Sequence, residues 1–206
     1  MEDRLETIII DYGMGNLRSV EKAVAAVGGK PAISADPNRV RKASRLILPG
    51  VGAFGDAMEN LRRSGMDDAI REAVRSGTPM LGLCLRLQLI FSHSEEFGSH
   101  EGLNLIPGNV RKFSDPGLRV PHIGWNQIEG CRPNPLLKDI PEGSYFYFVH
   151  SYYVDPVNPE DVLCWTSYGI RFCSIACRDK VWGAQFHPEK SQDIGKRLLH
   201  NFLAID

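Results

Sequence analysis

Pro79-Met80-Leu81-Gly82-Leu83-Cys84-Leu85-Arg86-Leu87-Gln88-Leu89 joins two opposite patterns with no loop between them. An apolar run suited to a buried strand stops at Gly82-Leu83-Cys84, and an amphipathic, Leu-rich segment suited to a helix starts at once. Cys84 therefore sits on a hinge. A strand that turns sharply into a helix pushes the turn residue's side chain out of the sheet edge. The turn also aims the helix's free N–H groups at that side chain, which favours a thiolate and can bind an oxyanion. These are the conditions for a nucleophilic cysteine. A core thiol among leucines is the competing reading, and this stretch alone leaves it open.

On the N-terminal side, Thr7-Ile8-Ile9-Ile10 and Arg45-Leu46-Ile47-Leu48 are short continuous apolar runs that suit strands buried on both faces of a parallel sheet. The first leads into the loop Asp11-Tyr12-Gly13-Met14-Gly15-Asn16. Leu17, Val20, Ala23, Val24 and Val27 then recur at helical spacing, and Gly28-Gly29 closes the helix. The G-x-G lacks the third glycine of a dinucleotide fingerprint, and no acidic residue ends the next strand. A loop that shapes the sheet edge or meets a partner is expected instead. A weak strand near Ala32-Ile33 and a short helix after Asp36-Pro37 follow. The second strong strand ends in Pro49-Gly50-Val51-Gly52-Ala53-Phe54-Gly55-Asp56, which suits either a tight turn or a cradle of N–H groups for an oxyanion. Helices are expected over about 56–63 and 67–75, with Gly77 closing the second.

Strand and helix alternate three times, which predicts an α/β fold: a doubly wound, mostly parallel, flavodoxin-like sheet whose ligands collect at the carboxyl ends of the strands. Asn16, Gly52 and Cys84 all fall at such ends. Past Phe91 the texture changes. Ser92 to Gly102 is polar, and from Asn109 to Cys177 short β-rich pieces alternate with turn signals such as Asp115-Pro116-Gly117 and Arg132-Pro133-Asn134-Pro135. This predicts an antiparallel β extension of the sheet. Within it, Val120-Pro121-His122-Ile123-Gly124-Trp125-Asn126 and Tyr145-Phe146-Tyr147-Phe148-Val149-His150-Ser151-Tyr152-Tyr153 place aromatics beside histidine. No repeat or linker interrupts the chain, so a single domain over 1–206 is expected.

Composition narrows the function classes. The 206 residues are 43% hydrophobic and 24% charged, enough for one sizeable core without disulfides or a structural metal. A net charge of −1 from 24 basic and 25 acidic residues, with no long runs, disfavours nucleic acid and anionic membranes. The five cysteines at 84, 131, 164, 173 and 177 are odd in number and contain no C-x-x-C, which argues for reduced thiols and against the usual zinc spacings. The N-terminus, Met1-Glu2-Asp3-Arg4-Leu5-Glu6, has no basic or apolar leader region, and no window approaches a membrane span, so a cytoplasmic protein is expected.

Val181-Trp182-Gly183-Ala184-Gln185-Phe186 returns to a strand and ends in His187-Pro188-Glu189-Lys190-Ser191; Ile194, Leu198, Leu199 and Phe202 make the last helix. The residue before proline is held extended, and positions i and i+2 of an extended chain share a side. Glu189 is thus placed to bond one imidazole nitrogen of His187 and hold the other toward a third group. A cysteine at one strand end and a His-x-Glu at another form a Cys84-His187-Glu189 triad of nucleophile, base and orienter.

The joint pattern resembles the class I glutamine amidotransferases, whose elbow reads G-x-C-x-G-x-Q and whose partners read H-P-E. The resemblance runs through Asp11 to Asn16, Leu48-Pro49-Gly50-Val51-Gly52, Pro121 to Asn126, Phe148 to Tyr152 and Gln185 to Ser191. Within the family it points to the glutaminase subunits of imidazole glycerol phosphate synthases. It implies hydrolysis of L-glutamine with an oxyanion held near Gly52 and Leu85, and with substrate held by Gln88, Glu96, His150, Ser151 and Tyr152. It also implies a heterodimer with a β/α-barrel cyclase subunit that receives ammonia, with Asn16, Trp125, Asn126, Tyr147 and Lys190 at the interface, and neither cofactor nor metal. Its products in histidine biosynthesis would be imidazole glycerol phosphate and AICAR. One position departs: the family elbow has glycine two residues after the cysteine, and Arg86 stands here. Accommodation is expected, with Arg86 projecting outward from the first helical turn or supporting the Cys84 thiolate; the alternative is a distorted elbow. A glutaminase serving another acceptor, such as a sugar-modifying synthase, and a catalytically silent binding subunit remain open at this point.

Overall fold

The computed structural model describes residues 6–14, 16–50, 52–114 and 117–205. The acidic start at 1–5, Gly15 and Val51 of the two glycine loops, Asp115-Pro116 of the expected turn, and Asp206 lie outside the described residues.

The chain begins β1 (Thr7–Ile10), α1 (Leu17–Ala26), β2 (Pro31–Ser34), α2 (Pro37–Arg41), β3 (Arg45–Leu48), α3 (Phe54–Ser64), α4 (Met66–Arg75), β4 (Met80–Leu83) and α5 (Leu85–Leu89). Local chemistry sets the boundaries. Asn16 caps α1 by accepting the Ser19 N–H, and Asp36 caps α2 by accepting the Asn38 N–H ahead of Pro37. Gly65, at φ +69°, is the single residue between α3 and α4, which both start slightly earlier than the sequence spacing predicts. With β13 (Val181–Ala184), the parallel strands run in the order β2-β1-β3-β4-β13. This is the doubly wound order expected.

Alternation along each strand splits the core into two layers. Ile8, Ile10, Leu46, Leu48 and Met80 pack with residues of α2, α3, α4 and α5. Ile9, Ile47, Leu81 and Leu83 face α1 and α6 (Gln192–Leu203) on the other side. Complete burial of each such Ile or Leu is worth roughly 1.5–3 kcal/mol.

The sheet continues past β13 through β12 (Ile170–Arg178), β10 (Tyr152–Pro156) and β7 (Gly108–Lys112), each antiparallel to the last, and ends in the short β5 (His93–Ser94) and β6 (His100–Glu101). β11 (Val162–Tyr168) pairs with β12. β8 (His122–Gln127) and β9 (Tyr145–His150) form a separate two-stranded antiparallel sheet. The aromatic run at 145–153 thus splits at Ser151 between two sheets. Its inward positions, Phe146, Phe148, His150, Tyr152 and Val154, keep one phase through the break, so alternation carries no sign of it.

The expectation of five reduced thiols is corrected at one pair: Cys131 and Cys164 form a disulfide. A bridge between Glu129 and Trp165, with the Arg132 N–H donating to the Leu163 carbonyl, brings their Cα atoms to 4.3 Å. Cys84, Cys173 and Cys177 are free. Among the described residues no helix is long and apolar enough to cross a membrane.

Candidate active site

β4 and β13 are neighbours in parallel register, with Gly82 opposite Gly183. α5 lies directly on this glycine pair: a Cβ at Gly82 would come within 2.8 Å of the Arg86 carbonyl oxygen, and one at Gly183 would overlap Leu87. Cys84, between β4 and α5, has φ 57° and ψ −118°, a conformation that L residues avoid and that marks a sharp strand-to-helix turn. Its N–H is held by the Ala184 carbonyl at 2.8 Å. α5 differs from the amphipathic helix expected: all five residues are buried, Arg86 and Gln88 included.

Arg86 does not project outward. It is fully buried, its Nε donates to the Pro49 carbonyl at 3.3 Å, and its Cζ lies 4.6 Å from the centroid of the Tyr12 ring. Burial lowers its pKa to about 9, opposed by the nearby Glu96 carboxylate, so the side chain is still cationic at neutral pH. The outward expectation fails because the Pro49–Gly50 segment and the Tyr12 ring cover this side of α5 and enclose the guanidinium.

His187 ends the segment after β13, hydrogen-bonds Glu189 and lies close enough to Cys84 to interact with it electrostatically, while the Cys84 thiol contacts the Val149 carbonyl at 3.8 Å. Its Nδ1 lies 2.8 Å from Glu189 Oε1, and both side chains are nearly buried. His187 is extended as expected, whereas Pro188–Lys190 is a 3-10 turn rather than a continued strand. A second support comes from Ser191, whose hydroxyl donates to the His187 carbonyl at 2.6 Å and accepts the Tyr147 N–H at 3.0 Å. Burial acts to lower the His187 pKa, but hydrogen bonds and Coulombic attraction from Cys84 and Glu189 outweigh it and raise it to about 9. The imidazolium is therefore held between a sulfur and a carboxylate.

Cys84 and His187 open on a cavity of about 370 Å³ that Gly52, Leu85, Gln88 and Glu96 also line. The volume suits a small ligand. Gln88 Nε2 donates to the Tyr152 carbonyl at 2.9 Å and to Gln185 Oε1 at 3.1 Å. Since only the amide nitrogen can donate to a carbonyl, both amides have defined orientations. Gln88 Oε1 and Gln185 Nε2 have no partner among the described residues, although both side chains are buried. Both atoms lie beneath the accessible surface, so they sit behind the cavity wall, where the Gln88–Gln185 hydrogen bond ties α5 to the segment that leads to His187. Gln185 was not among the sequence candidates; its place directly after β13 and two residues before His187 is the signal that could have found it.

Glu96 accepts the Phe54 N–H at 2.5 Å, and burial raises its pKa against the effect of that bond. Ser151 and Tyr152 also line the cavity. His150 does too, but both of its ring nitrogens are engaged: Nδ1 with the Tyr152 carbonyl at 2.7 Å and Nε2 with His122 Nδ1 at 2.9 Å. It has no polar atom left for a ligand. Burial lowers the His150 and His122 pKa values to about 3 and about 4, so both stay neutral.

Asn16 and Lys190 line a small second cavity shared with Cys84, His187 and Glu189. Trp125 meets Tyr147 edge-on at 6.0 Å across β8 and β9 and is 46% exposed. Asn126 donates to the Ser167 carbonyl and contacts His122.

Comparisons with known proteins agree with this geometry. A family model described as glutamine amidotransferase class-I matches residues 8–205. Imidazole glycerol phosphate synthase subunit HisH of Syntrophotalea carbinolica is 51% identical over 203 residues, covering 95% of this chain and 98% of its own. The subunit of the same name from Moorella thermoacetica is 50% identical, covering 94% and 92%. Among solved structures, PurLQS from Thermotoga maritima shares the fold with a TM-score of 0.77 at 16% identity, over 97% of this chain and 98% of that one. With an elbow cysteine, an oriented imidazole and a family match over nearly all of its length, the chain belongs to the class I glutamine amidotransferases.

Proposed function

We propose that the chain, as one amidotransferase domain over 1–206, hydrolyses L-glutamine to glutamate and passes the ammonia to a separate β/α-barrel cyclase subunit. The pair would act in the cytoplasm as a heterodimer that makes imidazole glycerol phosphate and AICAR in histidine biosynthesis. The observation that carries the hydrolytic half is the His187 imidazole held between Cys84 and Glu189 beside the cavity. The near-full-length similarity to HisH subunits supports the pathway.

In this mechanism the Cys84 thiolate attacks the side-chain amide carbon of glutamine. The oxygen takes the negative charge and is stabilised by the Leu85 N–H and the loop around Gly52. Collapse expels ammonia as His187 gives its proton to the nitrogen, leaving a glutamyl thioester on Cys84. The now neutral His187 takes a proton from water, whose oxygen attacks the thioester, and glutamate leaves as the thiol is restored. Gln88 and Gln185, joined by their hydrogen bond, back the wall against which the substrate's α-ammonium and carboxylate lie. Glu96, Ser151 and the Tyr152 backbone complete the wall. Asn16, Trp125, Asn126, Tyr147 and Lys190 face the cyclase.

The test is glutamate release by the chain mixed with the cyclase of the same genome and its nucleotide substrate. Release coupled to imidazole glycerol phosphate formation is expected. Release only with a sugar-modifying synthase would redirect the acceptor, and no release with any partner would leave a silent binding subunit.

A further inference from the structure

We propose that Arg86 is a positioning residue for glutamine hydrolysis, its guanidinium fixing the Pro49–Gly50 peptide so that the loop after β3 stays set to receive the oxyanion formed at Cys84. The inference rests on the glutaminase activity proposed above.

Two buried donors converge on one carbonyl: Arg86 Nε and the Tyr12 hydroxyl each lie 3.3 Å from the Pro49 oxygen. The guanidinium also stacks on the Tyr12 ring, 4.6 Å from its centroid, so each donor holds the other in place. The loop rests against this clamp without a gap, because a Cβ at Gly50 would overlap the guanidinium and the Tyr12 hydroxyl. The Pro49–Gly50 peptide is trans, so its N–H points away from its carbonyl. Holding the carbonyl on the Arg86 side therefore fixes the Gly50 N–H on the opposite side. Turning the peptide over means breaking both hydrogen bonds of two buried side chains.

Pro49 and Gly50 line the small cavity that contains Cys84, His187 and Glu189, and Gly52 lines the larger one. Arg86 belongs to the turn that presents Cys84, while its side chain reaches the loop that faces Cys84. One residue thereby ties the nucleophile's helix to the oxyanion loop. Glycine at this position, as in the family elbow, has no group that could make that tie.

The experiment uses the chain with its cyclase and compares R86M, R86K, R86G and Y12F by kcat and KM for glutamine. Cys84 alkylation by iodoacetamide, which forms no tetrahedral oxyanion, is measured in parallel. R86M is expected to lower kcat roughly 10- to 100-fold, below the full loss of an oxyanion-hole donor. KM and the alkylation rate should stay within about 3-fold, because neither depends on the oxyanion. R86K should recover part of the loss by restoring a donor, Y12F should lose less than R86M, and the double variant less than the product of the two.

Unchanged kcat in R86M, or higher kcat in R86G than in wild type, would overturn the inference while leaving the glutaminase reading intact. Alkylation falling in step with kcat would also overturn it, since Arg86 would then be supporting the elbow and not the loop. If R86M does not fold, R86K and Y12F decide: both at wild-type kcat overturns the inference. A wild-type complex that releases no glutamate overturns the reading and the inference together.

Discussion

His187 and the His122–His150 pair are equally buried, at 6%, 3% and 6% exposure, yet their pKa values move in opposite directions, to about 9 against about 4 and about 3. Burial lowers all three. What differs is the company. His187 has a thiol and a carboxylate on either side, whereas His150 has a carbonyl and a second imidazole. One site holds a proton ready for transfer and the other is a neutral hydrogen-bonded strut between the cavity wall and β8. Depth in the core therefore does not decide whether a histidine keeps its proton; the charge of its neighbours does.

The strongest break is Cys84→Ala, which removes the nucleophile and should cut glutamate release about 10⁴-fold or more in the cyclase complex, read by coupled glutamate assay. Next is Glu189→Gln, which gives His187 a neutral neighbour like those of the pair. Turnover should fall roughly 10³- to 10⁴-fold, and the pH at which His187 releases its proton should drop below about 9, read from the pH dependence of Cys84 alkylation. If that pH does not move, the neighbour argument is wrong. Gln185→Leu leaves the triad alone and removes the acceptor that holds Gln88 in the cavity wall. KM should rise about 3- to 10-fold with kcat nearly unchanged, the size of one neutral hydrogen bond.

The smallest effect is on stability. Between the ordinary histidine value of 6.5 and about 9, folded His187 holds a proton that the unfolded chain releases, so its contribution is lost as pH rises through that window. Below 6.5 the unfolded chain protonates the histidines that the fold keeps neutral down to about 4, so stability falls with pH on that side. His122→Gln should cost about 1–3 kcal/mol in urea unfolding and flatten the acid limb only. A flattened alkaline limb instead would mean the two sites are coupled.

The same contrast governs what could be read from the sequence. Cys84, His187 and Glu189 were legible because each sits at a strand end with local signals: an abrupt change of period, a proline after histidine, and a carboxylate two residues on. The parallel strands at 7–10, 45–48 and 181–184 were legible from their apolar runs. The departure of β8 and β9 into their own sheet was not, since the inward phase runs unbroken past Ser151. Arg86 was misplaced because an arginine at the start of a helix reads as exposed, and only the approach of Pro49, Gly50 and Tyr12, distant in sequence, encloses it. The Cys131–Cys164 bond and the Gln88–Gln185 pair join residues 33 and 97 apart in sequence, where the spacing carries no information.

The glycine floor has a mechanical consequence. Where α5 crosses β4, backbone meets backbone at Gly82, while over β13 the Leu87 and Ile90 side chains rest directly on Gly183. The spacing between the turn that carries Cys84 and the strand that leads to His187 is therefore set by the strand ladder, by main-chain contact at Gly82 and by the two side chains seated on Gly183. Substitutions that loosen the cores on either face can shift helices without changing that spacing. In the terms of a machine, nucleophile and base are mounted on one stiff plate, and the adjustable parts of the site are the loops that close over it.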